Sequence, residues 1–241
     1  MSTWLAGRVL ENRRWTDALF SLRVEAPRLD FEAGQFVRIG LEPALVRAFS
    51  FVNPPHDPVL EFYGIVVPQG PLSPRLARLE PGASLQIASN PAGFLTLSQV
   101  PDADTLWLVS TGTGIAPFLS ILRTETPWRR FRTVVLVHAV RHASELVYRD
   151  LIGKLVNENR LRYVTFVSRE AAPGSLAGRI PAAIRDGRLE AAAGAPLDER
   201  AHVMLCGNPQ MLRDAAAALA ERGLRKHRRR NPGHITVESF W

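Results

Sequence analysis

The pattern of hydrophobic and polar positions changes near residue 98. From Trp4 to about Leu97, short apolar runs with β-type alternation, such as ALFSLRVEA and GQFVRIGL, are separated by Pro-Pro, Asp-Pro and Pro-Gly pairs. Short strands punctuated by such turn residues are typical of an antiparallel sandwich or barrel. One helix is predicted in this part, at SPRLARL, where Ser73 fits the N-cap and Pro74 fits the first helical position.

After the polar link SQVPDAD the pattern becomes strand, loop and helix, repeated. Compact apolar runs occur at TLWLVS, TVVLVH, LRYVTFVS, HVMLC and HITVES. Buried strands that alternate with helices predict a parallel sheet covered by helices on both faces. The helices are predicted at about residues 115–125, 143–158, 176–190 and 208–222. The sequence therefore predicts an antiparallel β part followed by an α/β part.

Composition narrows the class of protein. The 241 residues are 46% hydrophobic, which is enough to build a core. The balance of 30 Lys and Arg against 23 Asp and Glu gives a formal charge of +7. This charge favours anionic partners (nucleic acid, phosphorylated ligands or an acidic protein), although an arginine-rich surface that serves only solubility fits equally well.

Cysteine content and hydropathy bear on the compartment. The single cysteine rules out an intrachain disulfide and a Cys-ligated iron–sulfur cluster. No N-terminal segment reads as a signal peptide, and no apolar run is long enough to span a bilayer. A cytoplasmic location is therefore expected.

A glycine-rich turn follows the first strand of the α/β part, in LVSTGTGIAPF at residues 108–118. Gly112 and Gly114 form the turn, and a helix opens near Pro117. Glycine lets a backbone approach a phosphate closely, and a helix N-terminus offers free N–H groups. The spacing is not GxGxxG, so the pattern indicates a nucleotide site of a separate class or a tight turn that simply requires glycine.

Three arginines follow strands or turns of the α/β part. Arg141 in VHAVR and Arg169 in VSRE follow the second and third strands, and Arg179 follows in LAGRIP. Ligands of open α/β sheets bind at the carboxyl ends of the strands, and arginine suits the 2′-phosphate of NADP. The three arginines favour NADP over NAD, although some of them could merely point at water.

The fourth strand of this part ends in MLCGNPQML. Asn208 can cap the next helix with Pro209 behind it. Cys206 precedes this turn, and a lone cysteine without a His/Asp pairing is most often a small buried hydrophobe. Cys206 could still line a pocket.

In the first part, VRAFSF places three candidate residues on one segment. On a strand, Arg47 and Phe49 share a face and Ser50 points to the other. An arginine for phosphate and an aromatic ring for a flat ligand would make a ligand-binding strand, but a mixed edge strand is the other interpretation. GPLSPRL adds a second helix N-terminus that could hold a pyrophosphate.

Other candidate sites fail on spacing. His138 and His142 are four residues apart, but a strand ends near His138 and no HExxH pattern exists. No GxSxG elbow is present. The basic segment, RKHRRR at residues 225–230, could bind nucleic acid but lacks interleaved aromatic residues. A solvated turn or an acidic protein partner fits this segment equally well.

Taken in order, these segments resemble the ferredoxin–NADP(+) reductase family, in particular its compact bacterial ferredoxin/flavodoxin–NADP(+) reductases. The similarity covers nearly the whole chain and is carried by RAFS, GPLS, TGTGIAP, VHAVR, VSRE, CGNPQM and VESFW. The family implies an N-terminal FAD-binding β-barrel over residues 1–98 and an NADP-binding α/β domain over residues 104–241. The C-terminal residues would return to the flavin, and the active site would lie between the domains.

The resemblance also implies roles for individual residues. Arg47 would hold the FAD pyrophosphate, Phe49 would pack at the flavin in place of the usual tyrosine, and Ser50 would lie near flavin N5. The complete set of implied FAD-binding positions is Arg47, Ala48, Phe49, Ser50, Tyr63, Val66, Pro71, Leu72, Ser73, Thr113, Phe240 and Trp241.

The nucleotide and catalytic positions follow from the same resemblance. The implied NADP-binding positions are Thr113, Gly114, Arg141, Ser168, Arg169, Arg179, Cys206, Gly207 and Asn208. The implied catalytic positions are Ser50, Cys206, Glu238 and Phe240, with no metal site. Phe240 would stack on the flavin where nicotinamide must lie, and Trp241 would cover the adenine of FAD.

The implied activity is that of an FAD-dependent oxidoreductase that exchanges electrons between NADP(H) and a small one-electron carrier protein. Hydride transfer at flavin N5 and single-electron steps belong to the cofactor, which the protein positions. The expected carriers are ferredoxin and flavodoxin, both typically acidic, so the +7 charge and the basic segment would steer docking. A monomer without nucleic-acid or membrane partners is expected.

Two alternatives remain at this point. One is an NAD(P)H-dependent flavin reductase or the reductase component of an oxygenase, from the same superfamily. The other is a basic nucleotide- or nucleic-acid-binding regulator without turnover. A preference for NADH would indicate the first alternative. A colourless protein whose binding to DNA depends on salt would indicate the second.

Overall fold

The computed structural model describes residues 3–42, 44–158 and 160–239. The chain divides into two compact units. The first comprises the residues up to Thr96 together with Ala116–Thr124, and the second comprises Leu97–Ile115 and the residues from Glu125 onwards.

The first unit is a six-stranded antiparallel sheet. Its strands are β1 (Trp4–Arg14), β2 (Leu19–Glu25), β3 (Phe36–Glu42), β4 (Leu45–Ser50), β5 (Val59–Ile65) and β6 (Ser84–Ala88), in the order β4-β3-β6-β1-β2-β5. The two edges nearly meet, because Phe51 pairs with Phe62 of β5 and the Val52 N–H donates to the Glu61 carbonyl oxygen. The predicted antiparallel β-barrel is confirmed.

The barrel encloses alternate side chains of its strands, as the period of two in the sequence predicts. Phe20, Leu22 and Val24 of β2 are fully buried. The ring of Phe51 stacks on Phe31 with 3.8 Å between their centroids. This packing gives the first unit its own hydrophobic core.

The helix predicted at SPRLARL is shorter than expected. Helix α1 spans only Ser73–Leu76, and Leu72 occupies the N-cap position. The prediction that Ser73 caps the helix is wrong, because its hydroxyl accepts a hydrogen bond from the Val67 N–H at 2.9 Å instead.

Helix α2 (Ala116–Leu122) packs with the barrel, although the segments on either side of it belong to the second unit. The Ser120 hydroxyl donates to the Asn53 carbonyl oxygen at 2.7 Å. Just beyond the helix, Arg123 donates to Glu61 at 3.0 Å and to Asp57 at 3.3 Å. A charged side chain that is only partly exposed is stabilised by such pairing.

The second unit is built on a six-stranded parallel sheet. Its strands are β7 (Thr105–Thr111), β8 (Thr133–Val140), β9 (Arg162–Val167), β10 (Leu176–Ala177), β11 (Ala201–Gly207) and β12 (Ile235–Ser239), in the order β10-β9-β8-β7-β11-β12. All five pairings are parallel. The predicted parallel α/β sheet is confirmed.

The helices of this unit differ from the prediction in three places, the first being a short helix at Thr126–Arg130 that was not predicted. The helices are α3 (Thr126–Arg130), α4 (Arg149–Asn157), α5 (Ile180–Arg185), α6 (Arg188–Ala193) and α7 (Pro209–Ala220). The predicted helix 176–190 is instead β10, α5 and the start of α6, because Gly178 and Gly187 adopt positive φ values of 91° and 78°. The predicted helix 143–158 begins with a separate 3₁₀ turn at Ala143–Glu145.

The connections between the strands locate the ligand-binding edge of the sheet. The chain moves outward from β7 through β8 and β9 to β10, and then returns to place β11 on the other side of β7. Right-handed crossovers put α3 and α4 on one face and α5–α7 on the other. The strand order therefore reverses between β7 and β11, and open α/β sheets bind ligands at the carboxyl ends of strands at such a switch point.

Candidate functional site

The β4 segment of the first unit carries the residues predicted to bind a flavin nucleotide. Arg47 and Ala48 are exposed, Phe49 is half-buried and Ser50 is buried. Phe49 lies against the backbone of β5, where a side chain added at Gly64 would come within 2.8 Å of Phe49 Cε1. The glycine on β5 thus leaves room for the aromatic ring of β4.

The other predicted FAD segments meet at the end of β5. Tyr63 is buried within the strand, and the Val66 N–H just beyond it donates to the Ala18 carbonyl oxygen at 2.7 Å. The hydrogen bond from the Val67 N–H to the Ser73 hydroxyl joins this end to α1, where Leu72 is buried and Pro71 is exposed. The end of β5 and residues 71–73 are therefore neighbours.

Ser50 is one of the buried polar residues of this unit that have an unpartnered side-chain atom among the described residues. It is 1% exposed, and its hydroxyl oxygen has no hydrogen-bond partner within the described ranges. A buried hydroxyl without a partner is costly to a folded protein, on the order of 1–3 kcal/mol. Ser50 Oγ is therefore suited to bind a polar atom of a ligand.

In the second unit, the glycine-rich turn lies at the switch point of the sheet. Gly112 adopts φ +54° and opens the 3₁₀ turn Gly112–Ile115. A side chain added at Gly114 would lie 2.6 Å from the Cys206 carbonyl oxygen. Gly112 is thus needed for its left-handed backbone, and Gly114 is needed because the turns after β7 and β11 touch.

The turn after β11 closes against the same point. The predicted N-cap is confirmed, because Asn208 Oδ1 accepts hydrogen bonds from the N–H groups of Gln210 and Met211 at 2.9 and 3.2 Å. The Asn208 N–H in turn donates to Thr111 Oγ1 at 2.9 Å. Gly207, with φ +130°, has no space for a side chain beside this threonine.

Two of the predicted NADP arginines lie at adjacent strand ends. Arg141 follows β8 and Arg169 follows β9, and the Arg169 N–H donates to the Arg141 carbonyl oxygen at 3.0 Å. The Ser168 hydroxyl donates to the Val140 carbonyl oxygen at 3.2 Å. Arg179 occupies the N-cap position of α5. All three guanidinium groups are exposed, and among the described residues none has an acidic partner.

Sequence reasoning missed two acidic residues at this edge. Glu145 accepts a hydrogen bond from the Arg141 N–H at 2.9 Å, and Glu170 accepts one from the Ala143 N–H at 2.6 Å. The Ala143 N–H and the His142 ring hold the pKa of Glu170 below its ordinary value. Both carboxylates therefore stabilise the loop after β8 instead of pairing with the nearby arginines.

Cys206 and Glu238 are register partners on β11 and β12, so their side chains lie on the same face of the sheet. Burial and the neighbouring Glu238 raise the pKa of the Cys206 thiol well above its ordinary value. Burial also raises the pKa of Glu238 to about 7, and its Oε1 atom has no hydrogen-bond partner in the described part of the chain. Cys206 is thus an inert thiol, and Glu238 can hold or release a proton near neutral pH.

Two further predictions concern other parts of the chain. Phe240 and Trp241 lie outside the described residues. The basic segment precedes β12, so it lies at the amino-terminal edge of the parallel sheet, across from Arg141 and Arg169. Within the described ranges there is no group of three or more potential metal ligands and no helix that is long and apolar enough to cross a membrane.

Comparisons with known proteins support one family. Residues 108–217 match the family model of the oxidoreductase NAD-binding domain. The chain is 53% identical to the flavodoxin/ferredoxin–NADP reductase of Shigella flexneri and 52% identical to that of Escherichia coli K12, over 100% of both chains in each case. A crystal structure of a ferredoxin NADP+ reductase from Neisseria gonorrhoeae, with bound FAD and NADP, is 33% identical, covers 100% of both chains and has a TM-score of 0.95.

Proposed function

The chain belongs to the flavodoxin/ferredoxin–NADP reductase family, and on this premise we propose how its residues serve the reaction. The protein is an FAD-dependent oxidoreductase that exchanges electrons between NADP(H) and a one-electron carrier. Bound FAD supplies the chemistry, because it accepts a hydride as a pair of electrons and passes electrons on singly. The single observation that carries this conclusion is the 53% identity along the whole length of a curated reductase.

The first unit is proposed to hold FAD. Arg47 would bind the pyrophosphate, and Phe49 would pack at the flavin with Tyr63 and Val66. Pro71, Leu72 and Ser73 would complete the site, which the Val67–Ser73 hydrogen bond supports. The fit is supported above all by the Ser50 hydroxyl, a buried polar atom without a partner among the described residues.

The second unit is proposed to hold NADP(H). Arg141, Arg169 and Arg179 would bind the 2′-phosphate with Ser168, because guanidinium groups make charge-assisted hydrogen bonds to phosphate oxygens. The absence of acidic partners for these arginines in the described ranges supports this role. The turns at the switch point, with Thr113, Gly114, Cys206, Gly207 and Asn208, would bind the rest of the nucleotide.

Glu238 is proposed as the group that holds a proton. With a pKa of about 7, its carboxyl is present in both protonation states at neutral pH, which is the range in which proton transfer is most effective. Cys206 contributes shape beside it, since its thiol stays protonated.

Phe240 is proposed to cover the flavin and to move aside for nicotinamide, and Trp241 to cover the adenine. Deletion of Trp241 should therefore loosen FAD, and Phe240→Ser should improve the use of NADH.

The partners are proposed to be ferredoxin or flavodoxin, which an overall charge of +7 would attract. We further propose a monomer with an FAD-binding segment at residues 1–98 and an NADP-binding segment at residues 104–241. A cytoplasmic location is proposed because the only cysteine is a free buried thiol.

The experiment that tests the proposal is a visible spectrum of the purified protein, followed by anaerobic addition of NADPH or NADH. We expect flavin bands that NADPH bleaches much faster than NADH. Faster bleaching by NADH would favour a flavin reductase or oxygenase reductase and would overturn the arginine assignment. A colourless protein that takes up no FAD would overturn the whole proposal.

A further inference from the structure

The second sheet carries a row of polar side chains at one level. The register pairs Glu238 with Cys206, Cys206 with Ser110, Ser110 with His138, and His138 with Thr165. Register partners in a parallel sheet point to the same face, so these five side chains form a continuous row across five strands. His138 is the fourth residue of this row, on β8, and no role assigned above uses it.

The His138 side chain forms a hydrogen bond with the glycine-rich turn. Its Nε2 atom lies 3.0 Å from the Gly112 carbonyl oxygen, and the residue is 0% exposed. Because a carbonyl oxygen only accepts, Nε2 must carry the proton. Burial lowers the pKa of His138 to about 4, so the ring is neutral at physiological pH and Nδ1 is a bare acceptor. Nδ1 has no partner in the described part of the chain.

This bond contributes to the orientation of one peptide group. The Gly112 carbonyl and the Thr113 N–H belong to the same planar trans peptide, so they point in opposite directions. When the carbonyl is directed at the buried ring of His138, the Thr113 N–H is directed away from it. Gly112 has φ +54° and no side chain, so the imidazole and the 3₁₀ turn Gly112–Ile115 together determine the plane of this peptide.

We propose that His138 is a positioning residue that orients the Gly112–Thr113 peptide for the binding of NADP(H). The inference rests on the proposed function, which assigns Thr113 and Gly114 to the nucleotide. His138 does not touch the nucleotide itself and acts through the turn. Because the backbone of a preorganised turn is already ordered, binding loses less conformational entropy. The substitution should therefore change the affinity for NADP(H) more than the maximal rate.

The chain offers a matched control in His202. This second histidine is 1% exposed and lies on the same face of the same sheet, but at the amino-terminal end of β11. Its Nε2 atom lies 2.9 Å from Thr236 Oγ1, and burial lowers its pKa to about 3. Substitutions of His202 therefore reproduce the loss of a buried neutral imidazole without touching the nucleotide turn.

The test compares His138→Gln with His138→Met in the FAD-loaded enzyme. The two side chains have nearly the same shape, but only glutamine offers an N–H donor. The dissociation constant of NADP+ is measured by difference absorption, along with KM and kcat for NADPH, FAD content and Tm. We expect His138→Met to weaken NADP+ binding and raise KM about tenfold, with a much smaller change in kcat. His138→Gln should restore most of the affinity, whereas His202→Met should lower Tm and leave the affinity unchanged.

A measurement on the unmodified enzyme covers the case in which His138→Met does not fold. Nitrogen-15 spectra of the imidazoles should show His138 as the Nε2–H tautomer, with a resonance that shifts when NADP+ is added while that of His202 does not. Equal NADP+ affinity of the wild type and His138→Met, or an unshifted His138 resonance, would overturn the inference alone. A wild-type protein that does not bind NADP+ would overturn the proposed function and the inference with it.

Discussion

Arginines lie at both edges of the parallel sheet, but the two sets differ in whether they are paired with groups of the protein itself. At the amino-terminal edge, Arg200 pairs with Asp104, and Arg130 donates to the carbonyl oxygens of Leu97 and Pro101. At the carboxyl edge, Arg141, Arg169 and Arg179 have no acidic partner among the described residues. Arginines that form hydrogen bonds or ion pairs within the protein stabilise the fold, whereas arginines without such partners are available to bind a ligand.

The basic segment is the exception to this contrast. It lies at the amino-terminal edge, yet Arg225, Lys226 and Arg228–Arg230 are exposed and have no acidic partner in the described ranges. A tight turn fixes its tip, where the N–H groups of Arg228 and Asn231 each donate to the other residue's carbonyl oxygen. The five residues of β12 separate it from the carboxyl edge by about 16 Å. It can therefore act on an anion at that edge only through the long-range field.

The largest effect should follow from removing the open arginines of the carboxyl edge. In Arg141→Ala/Arg169→Ala/Arg179→Ala, we expect the preference for NADPH over NADH to fall about a hundredfold or more, because hydrogen bonds from charged groups contribute about 1.5–3 kcal/mol each. Values of kcat/KM for both nucleotides measure this preference. The control, Arg225→Ala/Arg228→Ala/Arg229→Ala, removes the same charge at the other edge. An equal loss in the control would show that only net charge matters.

The close approach of the two turns should be the next most sensitive feature. In Gly114→Ala the new methyl group would meet the Cys206 carbonyl oxygen at 2.6 Å, so the turns must separate. We expect a loss of stability of about 1–3 kcal/mol and weaker NADP+ binding. Gly153→Ala in α4, where nothing lies within 4 Å, should instead raise stability by about 0.5–1 kcal/mol. Denaturant unfolding and NADP+ titration distinguish the two variants, and unchanged affinity in Gly114→Ala would contradict the assignment of this turn.

Features of the carboxyl edge can be predicted from the sequence alone when they depend on residues that are close together in the chain. The cap at Asn208 and the strand end before Arg169 were predicted correctly, because they depend on neighbouring residues. The predicted strand end near His138 is wrong by two residues, since β8 continues to Val140. The break within the predicted helix 176–190 was not predicted, because a single glycine in a helical pattern does not by itself indicate the positive φ that Gly178 adopts.

Other features depend on residues distant in sequence. The need for Gly114 arises from the Cys206 carbonyl on another strand, and strand order cannot be read from local pattern. His138 did carry a signal, because a polar ring inside the apolar run TVVLVHAV must find a hydrogen-bond partner when buried. The sequence pattern does not identify this partner, which in the folded protein is the carbonyl oxygen of Gly112.

The pH dependence of stability should reveal the buried carboxyl of the carboxyl edge. Glu238 has a folded-state pKa of about 7 against an ordinary 4.5, so its contribution to stability is fully present below about pH 4.5 and is lost as pH rises through 7. Glu238→Gln should therefore gain stability relative to wild type at pH 8, on the order of 2 kcal/mol, and not at pH 4.

Denaturant unfolding across this pH range measures the effect. Glu221 serves as a control, because its partner Arg185 holds the pKa of Glu221 below its ordinary value. Glu221→Gln should change stability with the opposite sign, losing stability above pH 4.5. A flat difference between Glu238→Gln and wild type would show that Glu238 is well solvated.

The smallest effect is expected at the basic segment. Arg228→Gln/Arg229→Gln/Arg230→Gln should slow the reduction of ferredoxin or flavodoxin a few-fold at low salt and leave the KM for NADPH unchanged. At high salt the difference should vanish, because the Debye length falls to about 3 Å at 1 M. A difference that persists at high salt would mean direct contact with the carrier and would contradict the purely long-range role.

The placement of helix α2 has a consequence for the synthesis of the chain. All six barrel strands have been translated by Ala88, but the barrel includes Ala116–Thr124, and Arg123 binds Asp57 and Glu61. A chain that ends after Leu97 carries these two carboxylates without their cation, whereas one that ends after Arg130 supplies it. Domains generally fold as they leave the ribosome. Here the first unit cannot complete its packing until part of the second has been made, and a cut at the linker would separate Arg123 from its two carboxylate partners.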